Sequence, residues 1–572
     1  MNNHLTVAKY LSIFLHQKEI HDVFQLSGGM ITQLIDAISL DNNTKVYSLF
    51  HEQSCAFAVS AYGRLKHKPS VAFATSGPGA TNLITGIGDC YYDSVPAIFI
   101  TGQVNTFELK GNSGIRQLGF QETDIVSMVK PITKMAIQLN ENHNVPDLLE
   151  ELYQIAISDR PGPVLLDIPM NLQRSYVLSS DLVLKNKIIN EQNVEISSII
   201  EILQKSKSPL IWAGNGIHIG NCVAEFNDFI NYTKIPCVLT LHGIDLLSND
   251  NEMRVGMIGS YGNRWANKCI KEADTIIFMG ARIDIRQTGP NLEIFKDKNI
   301  IRVDCDAAEL NNRLIPSVAI KMDLKLFLKS FLEIKSQFKG NEIWLKRIND
   351  LKLQYPLEKE ITLQKNEIGP YEILKSISRK IKTSTVYTVD VGSHQMWAAQ
   401  SLEFKKGDRF LTSGGMGSMG FSIPAAVGAA IAYPVLPIIV IVGDGSFQMN
   451  IQELQFISNK NLNIKIIVMN NESLGMIRQF QDSYMDGRYY GTKWDYSTPN
   501  ICAVSNAYGI IAKPMREFSN TDLAATWLLE KPGPRLLEYK LRSDINVFPK
   551  IAFGQTMDKM EPEYLPQDME ST

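Results

Sequence analysis

IIVIVGDGS at 438–446 is an apolar run of strand length that stops at Gly443-Asp444-Gly445, and IKIIVMNN at 464–471 is a second such run that stops at two asparagines. Apolar runs without polar alternation are strands buried on both faces, as in a parallel sheet covered by helices. From Asp444 to Asn471 the chain runs 27 positions, enough for a helical crossover and a return to the neighbouring parallel strand. Both polar ends then lie at one sheet edge, beyond the carboxyl ends of the strands, where open α/β sheets bind ligands. A carboxylate and an amide oxygen there suit a hard cation such as Mg2+, which takes oxygen ligands and bridges to phosphates. Gly445 lets a diphosphate approach the backbone, and the following helix offers it N–H groups. Either half alone reads as well as a Gly-Asp turn or an unrelated Asn pair; the spacing and the two strand ends together carry the cation reading.

The same wording recurs outward along the chain. VAFAT (71–75), PAIFITG (96–102), PVLLDIP (163–169), PLIWAG (209–214), TIIFMG (275–280), IIRVD (300–304) and RLLEYK (535–540) are further short apolar runs separated by helix-sized segments. They predict an α/β protein of three doubly wound parallel-sheet domains. The pattern lapses at about 174–195 and in the charged stretch 335–368, which read as linkers. The expected division is 1–175, 190–340 and 365–545, with a C-terminal tail at 546–572. Three ordered echoes, TSGPG (75–79) with TSGGM (412–416), VPAIFITG (95–102) with LPIIVIVG (436–443), and RPGPVLLDI (160–168) with KPGPRLLEY (531–539), suggest that the outer blocks arose by duplication.

The 572 residues are too many for one core. With 57 Lys and Arg against 60 Asp and Glu, the net charge of −3 provides no basic field for nucleic acid or an anionic membrane. Seven scattered cysteines without a CxxC pair fit reduced thiols used for packing, and so a cytoplasmic protein. The first twenty residues read as an amphipathic helix rather than a signal peptide. The longest uncharged run, Phe421 to Gly443, contains Pro424, Pro434 and Pro437, and reads as a buried helix, a turn and a core strand rather than a membrane span.

The spaced GDG and NN pair resembles the diphosphate-binding motif of thiamine diphosphate enzymes. More closely, HEQSCAFAVSAYGR (51–64), TSGPGATN (75–82), GFQET (119–123), RPGPVLLDIP (160–169), GSHQMWAAQ (392–400) and SGGMGSMGF (413–421) resemble the catalytic large subunits of acetohydroxyacid synthases along nearly the whole chain. The resemblance implies a pyrimidine-binding domain, a middle domain and a diphosphate-binding domain. It implies Mg2+ on Asp444, the Asn471 side chain and the Ser473 carbonyl, and cofactor contacts from His394, Gly443, Gly445, Ser446, Gly475 and Met476. By the same analogy Glu52 bonds the cofactor pyrimidine N1', the Gly417 carbonyl accepts from its 4'-amino group, and Met419 wedges it into a bent shape. Glu52 and GDG come from different subunits in that family, so a homodimer or homotetramer is implied, with a regulatory subunit as a further partner.

The middle block carries a second cofactor signal. AGNG at 213–216, with Gly214 and Gly216, is a glycine turn after a strand and is weak by itself as a nucleotide site. GARIDIRQTG (280–289) and VDCDAAEL (303–310) resemble family segments that bind FAD in a structural role, and Arg160 matches an arginine near its diphosphate. Asp304 and Asp306 could equally serve as helix caps. Arg286 aligns with an arginine that engages the carboxylate of a second 2-oxo acid, and Phe120 and Gln121 with a pair lining the same pocket. Departures gather here: QLSGGM at 25–30, Ser260-Tyr261-Gly262, Phe480 where the family has tryptophan, and roughly six extra residues between Gln103 and Phe120. The implied reaction is decarboxylation of pyruvate and transfer of the two-carbon unit to a carbonyl acceptor, giving 2-acetolactate on the branched-chain amino acid route if the acceptor is a 2-oxo acid. The alternative acceptor is a nucleotide-linked keto-deoxysugar. Pyruvate oxidase and a non-catalytic paralogue are less well matched, and glyoxylate carboligase is disfavoured by Glu52.

Overall fold

In the computed structural model, which describes residues 5–177, 196–334, 340–361, 363 and 367–563, the apolar runs pair into three six-stranded parallel sheets. The first contains β1 (Asp22–Leu26), β2 (Lys45–Ser48), β3 (Ser70–Ala74), β4 (Ala97–Gln103), β5 (Met135–Gln138) and β6 (Pro163–Pro169). The middle sheet contains β7 (Pro209–Ala213), β8 (Cys237–Leu239), β9 (Arg254–Met257), β10 (Thr275–Met279), β11 (Asn299–Asp304) and β12 (Val318–Lys321). The third contains β13 (Val386–Val389), β14 (Arg409–Leu411), β15 (Ile438–Gly443), β16 (Ile464–Asn470), β17 (Ile511–Pro514) and β18 (Arg535–Lys540). Strands β3, β4, β6, β15 and β16 are buried along their whole length, as runs without polar alternation require. No helix among the described residues is long and apolar enough to cross a membrane.

The outer sheets share one strand order, β2-β1-β3-β4-β6-β5 and β14-β13-β15-β16-β18-β17. The echoes in the sequence match that topology only in part. The PGP echo joins β6 to its counterpart β18, but the second joins β4 to β15, whose counterpart is β3, and the first joins the turn after β3 to the turn after β14. Every buried strand in such a sheet is an apolar run leading to a glycine turn, so local wording does not identify equivalent strands. The middle sheet differs, running β12-β11-β10-β7-β8-β9, with its order reversing between β7 and β10.

The second expected linker contains a helix, Glu342–Gln354, whose Trp344, Ile348 and Leu351 are buried against the middle sheet. Asn341 caps it by accepting from Trp344 N at 3.0 Å, and Trp344 Nε1 donates to Pro209 O at 3.0 Å. Three apolar positions at helical spacing suffice, and the charges around them face outward. Residues 178–195 of the first linker lie outside the described residues. In the described part of the C-terminal tail, 546–563, β19 (Lys550–Ile551) pairs antiparallel with β20 (Met560–Glu561), and Val547 and Met557 are buried.

The expected N-terminal helix is Val7–Gln17, and Phe421 to Gly443 is the helix Ser422–Ala432, a turn and β15. One apolar core is shared by the first and third sheets through the helices Glu52–Lys66 and Ser422–Ala432, and another by the middle and third sheets. Five of the seven thiols, Cys55, Cys90, Cys222, Cys237 and Cys269, are buried, and none forms a disulfide.

Candidate active site

The carboxyl ends of β15 and β16 are adjacent, with Gly443 opposite Met469, so Asp444 and Asn471 leave the sheet side by side. One terminal atom of the Asn471 amide lies 2.7 Å from the Ser473 carbonyl oxygen and 3.2 Å from Asp444 Oδ1. Turned with nitrogen there, the amide donates to both; turned with oxygen there, three oxygens converge as the donor set of a hard cation. Asp444 Oδ2 also accepts from Tyr496 OH at 3.2 Å, and burial pushes the carboxyl up to about 6. A cation would relieve that cost. Buried Ser393 Oγ and Ser473 Oγ have no protein partner, leaving polar capacity for a ligand at this edge. Clusters of three or more His, Cys, Asp or Glu suited to a metal are absent among the described residues, so a cation here depends on the amide and carbonyl oxygens.

The remaining residues of this edge are arranged around Gly445. Met419 Cε, Leu474 Cδ2 and Tyr496 OH all lie within 3.4 Å of where a side chain at Gly445 would project, so the glycine keeps the backbone accessible beneath them. Ser446 lies in the short helix Asp444–Met449 and donates to Val391 O at 3.3 Å. Gly475 sits against Ser393 and Asn471, and Met476 packs partly into the core. Gly417 has φ +70° and open space where a side chain would be, so its backbone is bare to a ligand. His394 accepts from Gly443 N at 3.2 Å through Nε2 and bonds the Asp390 backbone; burial pushes its pKa down to about 3. His394 thereby engages the backbone at the end of β15 through Nε2.

Glu52 opens the helix Glu52–Lys66 and is buried, as the sequence led us to expect. Its Oε2 accepts from Asn82 Nδ2 at 2.9 Å, and Oε1 lies 3.1 Å from where a side chain at Gly79 would be. The turn before the helix is fixed from the third sheet: Phe50 N donates to both Glu453 oxygens at 3.1 and 3.3 Å, and Ser54 Oγ to Asn450 Oδ1 at 3.0 Å. Burial pushes Glu453 up to about 7. Gln121, at φ +67°, packs against Gly77 on the same edge, whereas Phe120 is 80% exposed.

A cavity of 410 Å3 opens where the middle sheet's strand order reverses, between β7 and β10, the point where doubly wound sheets bind nucleotides. Its lining includes Arg160, Gly214, Gly216, Asp304 and Arg286. Arg160 pairs with Asp306 at 3.3 Å and Glu309 at 3.1 Å. The capping reading of the two aspartates holds: Asp304 accepts from Asp306 N and Asp306 from Ala308 N, each at 2.9 Å. Asp304 also faces the cavity, where burial raises its pKa.

Within one chain the residues therefore fall into three groups: Glu52 and Gln121 on the first sheet's edge, Asp444, Asn471 and Ser473 on the third's, and Arg286 with the glycine turn in the middle cavity. Phe120 and Gln121 are not among the residues lining the cavity that contains Arg286, although the sequence grouped them in one pocket. Phe480 is half-exposed and packs against Tyr484 at a tilt of 53°, with ring centroids 4.7 Å apart. Tyr261 lines the cavity near Arg286, and burial raises its phenol pKa. The sequence reading did not single out Tyr496, Asn82 and Glu453. Asn82 stands in a quoted motif; Tyr496 and Glu453 are brought in only by folding.

Comparison with known proteins places these edges in a wider set. Residues 5–128 match the family described as thiamine pyrophosphate enzyme, N-terminal TPP binding domain; 196–331 match its central domain and 390–539 its C-terminal TPP binding domain. The chain is 35% identical to the acetolactate synthase large subunit of Cyanidium caldarium, over 97% of this chain and 96% of that protein. It is 35% identical to the acetolactate synthase large subunit of Lactococcus lactis (96% and 94% covered), and 33% identical to acetolactate synthase isozyme 2 large subunit of Escherichia coli (97% and 98%).

Proposed function

The chain belongs to the acetolactate synthase large-subunit family of thiamine pyrophosphate enzymes, and from that premise we propose how its residues divide the work. It is a thiamine diphosphate-dependent carboligase that decarboxylates pyruvate and gives 2-acetolactate. The relatives favour a 2-oxo acid over a keto-deoxysugar as acceptor.

Thiamine diphosphate, when bound, supplies the electron sink that lets pyruvate lose carbon dioxide. Asp444, Asn471 and the Ser473 carbonyl hold Mg2+ for its diphosphate, a reading supported by the convergence of these three groups at the ends of β15 and β16. Glu52 holds a proton at the pyrimidine ring nitrogen, and its burial keeps water from competing. When the cofactor is bound, the Gly417 carbonyl would accept from its 4'-amino group and Met419 would pack against it. A complete site takes Glu52 from one copy and the GDG turn from another, in a homodimer or homotetramer, a reading supported by the family resemblance and consistent with Glu52 bonding Asn82 and Asp444 bonding Tyr496 within the chain. Arg286 pairs with the acceptor carboxylate through a fork of donors. The middle cavity, lined by Gly214, Gly216, Asp304 and Arg160, would hold FAD in a structural role. The name large subunit carried by the relatives supports a regulatory partner.

Product analysis tests the reading. Pyruvate alone should give 2-acetolactate, and Arg286→Ala should abolish it while sparing pyruvate decarboxylation, at a cost of about 2 to 5 kcal/mol in transition-state binding. Efficient acetyl transfer to a keto-deoxysugar nucleotide with negligible acetolactate would overturn the assignment of the acceptor. The purified protein should be yellow and release FAD on denaturation; a colourless, fully active preparation would remove the flavin.

A further inference from the structure

The segment Gly414–Met419, which carries Gly417 and Met419, is held at its far end by its own sheet: Asp390 accepts from Gly420 N at 2.9 Å and from Ser422 N and Oγ at 2.8 Å. Its near end is held by the first sheet's domain. Asp93 accepts from Gly414 N at 3.0 Å through Oδ2 and from Gly415 N at 2.8 Å through Oδ1. Arg64 bonds Asp93 Oδ2 at 3.0 Å, Asp89 Oδ2 at 3.1 Å and the Thr412 carbonyl at 2.9 Å. His242, from the middle sheet's domain, stands 3.4 Å from Asp93 Oδ1. Both loop glycines are required by this contact: a side chain at Gly414 would lie 1.8 Å from His242 Nε2, and one at Gly415 would lie 2.5 Å from Tyr92 Cβ. Asp93 and Asp89 are fully buried. Burial alone would raise the Asp93 carboxyl; His242, Arg64 and the Gly414 N–H together outweigh it and keep the group ionised.

We propose that Asp93 is a positioning residue, which through two backbone N–H groups fixes the bend that presents the Gly417 carbonyl and Met419 to the cofactor. The proposal rests on the assignment of Gly417 and Met419 to the thiamine diphosphate site. A carboxylate accepts from both N–H groups and remains neutralised by Arg64, whereas an amide of the same shape has one oxygen and must turn a donor toward the other N–H. Released at that end, the bend remains tied by Asp390 and by Ser418 N donating to Ser413 Oγ at 2.9 Å, so it loosens without unfolding.

The test uses the full chain with excess Mg2+. Asp93→Asn should weaken thiamine diphosphate binding about tenfold, and slow hydrogen–deuterium exchange at C2 of the saturating bound cofactor by a similar factor. Asp245→Asn is the comparison, because Asp245 joins the middle and third sheets by accepting from Phe410 N at 2.9 Å and pairing with Arg409 and His218, without contacting the bend. It should lower the melting temperature yet leave affinity and exchange within about twofold, because its link to the bend runs through Arg409, whose Nη1 meets the Arg64 backbone carbonyl at 3.5 Å, and leaves the Arg64 guanidinium on Asp93. Unchanged affinity and exchange in Asp93→Asn, or equal losses in Asp245→Asn, would overturn the proposal. If Asp93→Asn does not fold, Gly415→Ala, which pushes the bend away from Tyr92 while Arg64 and Asp93 stay paired, must show both losses; unchanged values there overturn the proposal equally. A wild-type chain that fails to bind thiamine diphosphate would instead overturn the cofactor assignment beneath it.

Discussion

Glu52 sits in the first turn of a helix packed against two others, so its carboxylate has little freedom: Asn82 occupies one oxygen, and the other faces Gly79, where a side chain would crowd it. Glu52→Gln preserves this packing and removes only the proton-holding charge. Folding and cofactor affinity should persist while C2 exchange slows by about 10²-fold or more. Near wild-type exchange, read by NMR on the bound cofactor, would refute the role. Asp167 gives a separate test of burial. It accepts from Thr101 at 2.7 Å, Gln138 at 2.8 Å and Gln103 at 3.0 Å, yet burial outweighs these bonds and pushes its carboxyl up to about 6. A folded-state value above the unfolded one means that the native state binds the proton more tightly. The stability this contributes is therefore present below about pH 4 and lost as pH rises through 6, by at most about 3 kcal/mol. Urea titrations from pH 4 to 8 should show this loss in the wild type and not in Asp167→Asn; parallel pH profiles would refute it.

At the level of elements, the helix Glu342–Gln354 hides in a charged stretch because only one face is apolar. Trp344 anchors that face, buried with its indole N–H satisfied by the Pro209 carbonyl at the start of β7. Trp344→Ala leaves a cavity and an unpaired carbonyl, and should cost about 3 to 5 kcal/mol by denaturant unfolding. A loss below about 1 kcal/mol would mean that the helix does not anchor the middle sheet. Nearby, Glu360, also within the stretch that read as a linker, forms a buried pair with Arg264 at 2.7 Å. The strands absent from the sequence reading have a similar explanation. In the three parallel sheets β2, β5, β9, β12, β14 and β17 are edge strands of three or four residues, β8 is a next-to-edge strand of three, and β1 and β13 are next-to-edge and short, each with a polar residue inside. Four residues with one polar side chain are too few to define a period.

Across the whole molecule, the two outer sheets and the middle sheet are packed into one body, but the candidate catalytic groups remain at separate edges of a single chain. If each site takes Glu52 from one copy and Asp444 from another, Glu52→Gln and Asp444→Ala chains, each nearly inactive, should regain activity when mixed. A randomly exchanged heterodimer contains one intact and one doubly defective site, so recovery should approach about a quarter of the wild-type rate for two-state pairing of symmetric subunits. Mixed chains that stay inactive after verified subunit exchange would place each site within one chain.

The sequence by itself determined the three-sheet α/β architecture, the Asp444 to Asn471 spacing and the order of the motifs, because long apolar strands and strand-end turns are local properties of the chain. It also placed Glu52 correctly at the buried start of a helix. The equivalence of strands between the outer sheets, the helix in the second linker, the commitment of His394 to backbone, and the contacts of Tyr496, Glu453 and Asp93 were decided only by the tertiary structure. Each depends on groups far apart in sequence meeting at a packed junction, and no local pattern records which distant donor a buried carboxylate will find.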